Sequence, residues 1–287
     1  MEKGCLSVFT KSDRSRSPVQ ASAWASGLAQ LWRWLFDQYR EFVAAVRFLS
    51  TVPVPGSTQL FQADRALIFG SAYFPLVGLL LALLLALVPF ALGSYLPPLV
   101  LAALLVITLI VLTGGLHLDG LMDTCDGLFG GRSRERKLEI MRDSRVGSFG
   151  ILGGLSILLL KFALFASLNI HVLPPAVIAI LPISRWAMVF AVRLFPSTRP
   201  TGLGAAFRQT VSLPHLLFAA FFSLVIALIA AHLLGLVLWF AGTLVAILVA
   251  AWATHHLGGL TGDIYGTIAE VSEVTLLLIF VVLHFLL

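Results

Sequence analysis

Seven stretches of this chain are apolar over some twenty residues each: 66–93, 96–116, 147–170, 173–195, 213–234, 236–257 and 265–287. A run of ~20 apolar residues rising 1.5 Å each crosses a ~30 Å hydrocarbon core, and seven such runs leave a soluble fold no way to hide them. Nothing alternates with the two-residue period of a barrel strand, and in lipid the helix satisfies every backbone polar group within its own segment. The expected fold is therefore all-α, a polytopic transmembrane helix bundle of about seven spans. Pro75 and Pro182 fall inside their runs and are expected to kink them. The short breaks around Pro174-Pro175 and at Gly235 predict two tight helical hairpins. No internal repeat is evident.

The amino-terminal part differs. Residues 1–30 are Ser-rich, carry Lys3, Lys11, Arg14 and Arg16, and have no apolar core after Met1, so they read as a basic disordered tail near anionic lipid and not as a secretory signal. In 31–50, Arg33, Arg40 and Arg47 recur every seven residues on one helical face, while Trp32, Leu35, Phe36, Val43 and Val46 supply most of the other. That pattern describes an interfacial amphipathic helix. Thr51-Val-Pro-Val-Pro then interrupts it. The division is thus tail 1–30, interfacial helix 31–50, and a transmembrane catalytic domain over 51–287.

Only 11% of the residues are charged against 59% hydrophobic, so where the charges lie is informative. With the amino terminus inside, the inner segments 1–65, 117–146, 196–212 and 258–264 hold sixteen of the nineteen Lys and Arg. Arg193 sits at an inner end, Lys161 and Arg185 fall within spans, and no base lies in an outer loop. By the positive-inside rule this sets the orientation, with the carboxyl terminus outside. The same distribution accounts for the net charge of +5 without nucleic acid. The two cysteines, Cys5 and Cys125, give no disulfide framework and read as reduced thiols.

Segment 114–147 holds six of the fourteen acids and six of the bases. Asp119, Asp123 and Asp126 are spaced i, i+4, i+7, which in a helix keeps them within ~60° of one another. Three carboxylates on one stripe repel each other and are costly at membrane depth, unless a cation lies among them. Hard oxygen donors suit Mg²⁺ or Mn²⁺, and Mg²⁺ commonly takes substrate phosphate as a further ligand. Gly120 and Gly127 follow two of the aspartates and allow close approach. His117 is a candidate base, ligand or interfacial residue. Arg132, Arg134, Arg136, Lys137, Arg142 and Arg145 follow, and the next span would offer an anion its amino terminus. Acids for a metal beside bases for phosphate suit phosphoryl chemistry. Arg134 and Lys137 are also explained by anchoring alone. A solvated polar loop is the plainer reading of the acids.

Two clusters join this face. Residues 199–208 form a Gly-rich loop with a base at either end, Arg199 and Arg208. Asp263, Glu270 and Glu273 lie at the mouth of the last span, the first two on one helical face. Ionisable groups so placed are functional candidates, and Arg185 is a natural buried counter-charge to one of them or a structural partner.

The run His117-Leu-Asp-Gly-Leu-Met-Asp-Thr-Cys-Asp-Gly, with Met141-Arg-Asp-Ser-Arg-Val-Gly-Ser-Phe-Gly, resembles the cobalamin synthase family, the adenosylcobinamide-GDP ribazoletransferases. Supporting matches are Phe48-Leu-Ser-Thr-Val-Pro-Val-Pro, Tyr73-Phe-Pro-Leu-Val-Gly, Arg199-Pro-Thr-Gly-Leu-Gly and Thr261-Gly-Asp-Ile-Tyr-Gly-Thr-Ile-Ala-Glu-Val-Ser-Glu. The likeness runs from about residue 42 to the end; Met122 stands where the family usually has alanine. The resemblance implies a multi-pass enzyme of the bacterial cytoplasmic (inner) membrane, with its active site facing the cytoplasm. It would join adenosylcobinamide-GDP to α-ribazole or its 5′-phosphate, releasing GMP, with Mg²⁺ as cofactor. Carried onto this chain, it puts Asp119, Asp123, Asp126, Asp263 and Glu270 in the metal set. His117, Arg142, Asp143 and Arg145 join the three stripe aspartates in the catalytic set, with Arg142 and Arg145 on phosphate oxygens and either a carboxylate or His117 taking the hydroxyl proton. Arg199, Gly202 and Arg208 would bind substrate. A homo-oligomer and association with other cobamide-assembly enzymes are further expectations.

Two other readings compete. A CDP-alcohol phosphotransferase also sets aspartates on membrane helices, but its first Asp-Gly leads into Ala-Arg, where this chain has Asp-Thr-Cys-Asp. A cation transporter would place its acids near mid-membrane, often in repeated halves.

Overall fold

The computed structural model describes residues 18–55, 69–198 and 203–286. Among them every regular element is a helix, apart from one isolated bridge between Ser197 and Leu260. The chain divides into two units, 1–40 and 41–287. Helix α1 runs Pro18–Leu49 and contributes to both, so residues 18–30, expected as tail, are helical. Within the first unit Trp32, Trp34, Leu35 and Phe36 are exposed.

The second unit is the bundle. A 3-10 turn at Ser71–Tyr73 leads into α2 (Phe74–Leu92). Then come α3 (Pro98–Thr113), α4 (Leu116–Gly130), α5 (Arg134–Ile140), α6 (Ser148–Ser167) and α7 (Leu173–Leu194). Helices α8 (Leu203–Thr210), α9 (Leu213–Leu257) and α10 (Gly262–Leu286) complete it. The expected kink at Pro75 does not arise: α2 begins at Phe74, so Pro75 occupies the first turn, where a missing N–H costs no hydrogen bond. Pro182 is interior to α7, against the bare Gly78 of α2.

Helix α7 is the axis of the bundle. It packs on α2, α9 and α10 and is buried on nearly every side. Ala176, Ala179, Ala187 and Ala191 keep its girth small enough for three neighbours. An all-round apolar helix is what a central position requires.

Among the described residues five helices are long and apolar enough to cross a membrane, and the pair α3–α4 makes a sixth if counted as one broken span. The 45-residue α9 is not straight. His232 takes a non-helical φ of 50° and ψ of −132°. A Cβ on Gly235 would overlap the carbonyl of Ala227, and Trp239 Nε1 donates to Ser223 Oγ at 3.0 Å. Residues sixteen apart on a continuous helix would stand ~24 Å from each other. The helix therefore folds back at His232 into two antiparallel legs. The expected hairpin is present, but its turn is His232, and Gly235 marks where the legs touch.

Segment 96–116, expected as one span, ends in a 90° bend between α3 and α4. Gly114 and Gly115 both hold left-handed dihedrals, φ 62° and 71°, which a side chain would resist. The acidic run thus becomes a helix of its own, laid against α10 and α6.

Candidate active site

Helix α4 carries His117, Asp119, Asp123 and Asp126 and meets α10 at bare backbone. A Cβ on Gly120 would stand 2.9 Å from Asp263 O, and one on Gly266 2.9 Å from His117 O. Thr267 of α10 brings its hydroxyl 2.8 Å from Thr124 Oγ1, which itself donates to Gly120 O at 2.7 Å. These contacts hold Asp263 beside the first turns of the stripe.

Asp119 and Asp123 have no hydrogen-bond or ion-pair partner among the described residues, and the charges of Asp119, Asp126 and Asp263 all bear on Asp123. The Asp263 carboxylate accepts from the Thr261 hydroxyl at 3.2 Å and has no ion-pair partner among the described residues. Asp126 is different: its two oxygens accept the backbone N–H groups of Gly147 and Gly150, each at 2.7 Å. A carboxylate there completes the first turn of α6, whose leading N–H groups have no helical acceptor. The stripe so divides into two open carboxylates and one committed to capping a neighbour.

Glu270 departs from the expected metal set. It accepts from Lys161 Nζ of α6 at 2.7 Å, deep in the bundle. Lys161 also meets Glu273 at 2.6 Å, and Glu273 takes Arg185 Nη1 at 2.7 Å. Two cations and two anions make a neutral buried cluster, and an ammonium already occupies the place a metal would take on Glu270. Arg185 is the buried counter-charge foreseen, with Lys161 a second one. Their charges, with that of Glu273, reach the His117 ring.

A cavity of about 130 Å³ opens beside the stripe, lined by His117, Asp119 and Asp263 and by Phe48, Met188, Phe207 and Tyr265 among others. His117 is 1% exposed, and neither ring nitrogen has a hydrogen-bond partner among the described residues. The Tyr265 hydroxyl is likewise buried and unpartnered. Phe48, Phe207 and Tyr265 carried no polar signal in the sequence; Tyr265 lies only two residues from Asp263, inside the motif.

The bases sit at the other end of α4, where Met141 lies against Gly127. Arg145 grips Asp143 through Nε–Oδ1 at 3.0 Å and Nη2–Oδ2 at 2.7 Å, although its side chain is 87% exposed. That bond holds the Asp143 carboxyl down at about 2. Asp143 therefore orients Arg145. Arg142 and Arg208 are exposed, and neither has an ion-pair partner among the described residues. Arg199 and Gly202 lie outside the described residues. Arg134, expected only to anchor, lays its guanidinium against Gly258 at the end of α9.

Among the described residues no three His, Cys, Asp or Glu side chains converge closely enough to enclose an ion. Mg²⁺ asks for less, since it is commonly held by one or two carboxylates with water and substrate phosphate completing the shell. The unpartnered oxygens of Asp119 and Asp123, faced by Asp263, fit that requirement; Asp126 and Glu270, already engaged, fit it poorly.

Bundle and site together define a multi-pass membrane protein with a largely apolar cavity bordered by carboxylates. A family profile described as cobalamin-5-phosphate synthase matches residues 41–281, and the chain belongs to that family, as a membrane enzyme of cobalamin synthesis. It is 41% identical over 233 residues to the adenosylcobinamide-GDP ribazoletransferase of Roseiflexus sp. (strain RS-1), covering 81% of this chain and 86% of that one. The protein of the same name from Desulfitobacterium hafniense (strain Y51) is 41% identical over 244 residues, 83% of this chain and 95% of its own. That of Acetivibrio thermocellus is 33% identical over 242 residues, covering 84% and 97%. No solved structure matches.

Proposed function

We propose that the enzyme transfers the cobinamide phosphate of adenosylcobinamide-GDP to α-ribazole, or to its 5′-phosphate, and releases GMP. A ribose hydroxyl oxygen forms the new P–O bond. The bridging P–O bond of the pyrophosphate breaks, and its electron pair leaves on GMP. The hydroxyl proton passes to a group of this chain.

The observation that carries the reading is the pair Asp119 and Asp123, two carboxylates on one helical stripe with no partner among the described residues. A divalent cation held by them and by Asp263 would neutralise charge on the pyrophosphate oxygens. His117, buried with both nitrogens free, supports a role as acceptor of the hydroxyl proton. Arg142 would bind phosphate oxygens directly, and Arg145, oriented by Asp143, would present its remaining donors to them. Arg208 of α8 would bind the same substrate, and Arg199 and Gly202 are assigned to it on the sequence alone. The apolar face of α1 would lie on the lipid. The concentration of basic residues in the segments around the site supports a cytoplasmic-facing site at the inner membrane.

Purified protein in liposomes, given adenosylcobinamide-GDP with and without α-ribazole and with and without Mg²⁺, tests this. GMP formed only when all three are present supports the transfer. GMP formed without α-ribazole would make the enzyme a hydrolase, and none at all from folded protein would overturn the reading.

A further inference from the structure

The cavity beside the stripe has two chemically distinct walls. Asp119 and Asp263 belong to the reacting side, whereas Phe48, Met188, Phe207 and Tyr265 form an apolar, largely aromatic side. Phe207 is built into that wall from several directions: it packs edge-on to Tyr265 at 5.6 Å between ring centroids and meets Phe48 at 6.0 Å and Phe74 at 5.3 Å. Helix α8 thus owes its placement to a side chain that also faces the cavity. The 130 Å³ space is comparable with the ~150 Å³ apolar cavity that, in another protein, takes up benzene. A corrin ring is far too large for it.

We propose that this chamber seats the planar base of the acceptor nucleoside, with Phe207 the platform and Tyr265 the group that selects the base. The inference rests on the proposed transfer and adds where the acceptor binds. The polar inventory of the wall points to one base over the other. Guanine displays several donors and acceptors along its edge, and burying them against Phe48, Met188 and Phe207 would leave most unsatisfied. A benzimidazole joined to ribose through one nitrogen offers one acceptor nitrogen and an otherwise apolar edge. Among the described residues the wall offers one buried hydroxyl without a partner, that of Tyr265. A ring seated there would hold its ribose toward Asp119 and His117, which line the same cavity.

The test measures GMP release with each substrate varied separately, together with binding of α-ribazole alone by titration calorimetry. Phe207→Ala is expected to raise KM and Kd for α-ribazole about 5- to 100-fold, the range of base stacking on an aromatic ring. KM for adenosylcobinamide-GDP should stay within about twofold. Phe207→Leu, which keeps most of the packing volume, should show the same selective loss if the alanine variant does not fold. Tyr265→Phe should weaken α-ribazole by about 2- to 10-fold, the scale of one neutral hydrogen bond. It should also abolish the preference for α-ribazole over the indole riboside that lacks the acceptor nitrogen, which a merely structural tyrosine would not do. A shift confined to KM for adenosylcobinamide-GDP, or unchanged constants for both substrates, would overturn the assignment while leaving the transferase reading intact. Wild-type protein that binds α-ribazole, loses it on Phe207→Leu and yet releases no GMP would keep the chamber and remove the proposed reaction.

Discussion

Two pairs of acids in this protein look alike on paper and have opposite surroundings. Asp119 and Asp123 stand one turn apart on α4; Glu270 and Glu273 stand one turn apart on α10. The glutamates lie deeper, yet Lys161 and Arg185 meet them at 2.6 to 2.7 Å and the cluster is neutral. The aspartates lie nearer the edge, and among the described residues no group pairs with either carboxylate. Burial therefore does not mark the site here. An acid whose counter-charge is already folded in is part of the frame, and one whose counter-charge is missing is waiting for a ligand to bring it.

The largest effect should come from breaking the paired set. Lys161→Met leaves two buried glutamates with only Arg185, and loss of one partner from a buried cluster costs about 3–5 kcal/mol. Chemical unfolding in mixed micelles would read it. The double variant Lys161→Met with Glu270→Gln restores neutrality and should recover most of that loss, because the penalty is the uncompensated charge. Asp123→Asn should do the reverse: GMP release falls about 100- to 1000-fold, the scale of removing one group that stabilises transition-state charge, while unfolding is unchanged or slightly harder. If Asp123→Asn destabilised as Lys161→Met does, the contrast between the two pairs would collapse.

Asp126 sits between these extremes. Asn at that position keeps one acceptor for the two N–H groups of Gly147 and Gly150, so about 1–2 kcal/mol of stability should go, with a smaller loss of activity than at Asp123. The smallest effect belongs to Asp143. Its folded carboxyl is lowered to about 2 by Arg145, below the unfolded value near 3.9, so any stability it adds is present above that value and lost only as pH falls toward 2. Asp143→Asn should therefore lower stability only slightly, and by the same amount at every pH from 5 to 8; a difference that varies with pH across that range would contradict the exposed pairing.

Run length and apolarity made the helical bundle readable in the sequence, because lipid leaves the backbone few alternatives. The stripe of Asp119, Asp123 and Asp126 was readable for the same reason that any helical face is, from spacing. What spacing does not carry is the identity of partners far along the chain. Lys161 precedes Glu270 by 109 residues, so nothing local revealed that the glutamate is neutralised and Asp119 is not. Asp126 reaches Gly147 and Gly150 only because α4 turns back against α6, a bend made by Gly114 and Gly115. Gly235 attracted the hairpin turn by composition, whereas the backbone turns at His232 and uses Gly235 to bring the legs together. Phe207 drew no reading from the sequence and Tyr265 only as part of a longer motif, because it takes the meeting of α8 and α10, with the two rings 5.6 Å apart, to set them around one cavity.

The most direct measurement is a Mg²⁺ titration of GMP release in proteoliposomes, wild type beside Asp123→Asn, with thermal unfolding recorded on the same preparations. Wild type should be inactive in chelator and saturate with Mg²⁺, and the variant should stay about 100-fold or more below it at every concentration with an unaltered Tm. Equal rates in the two proteins, or wild-type turnover undiminished by chelator, would contradict the claim that the unpartnered aspartates are where the cation and the pyrophosphate meet.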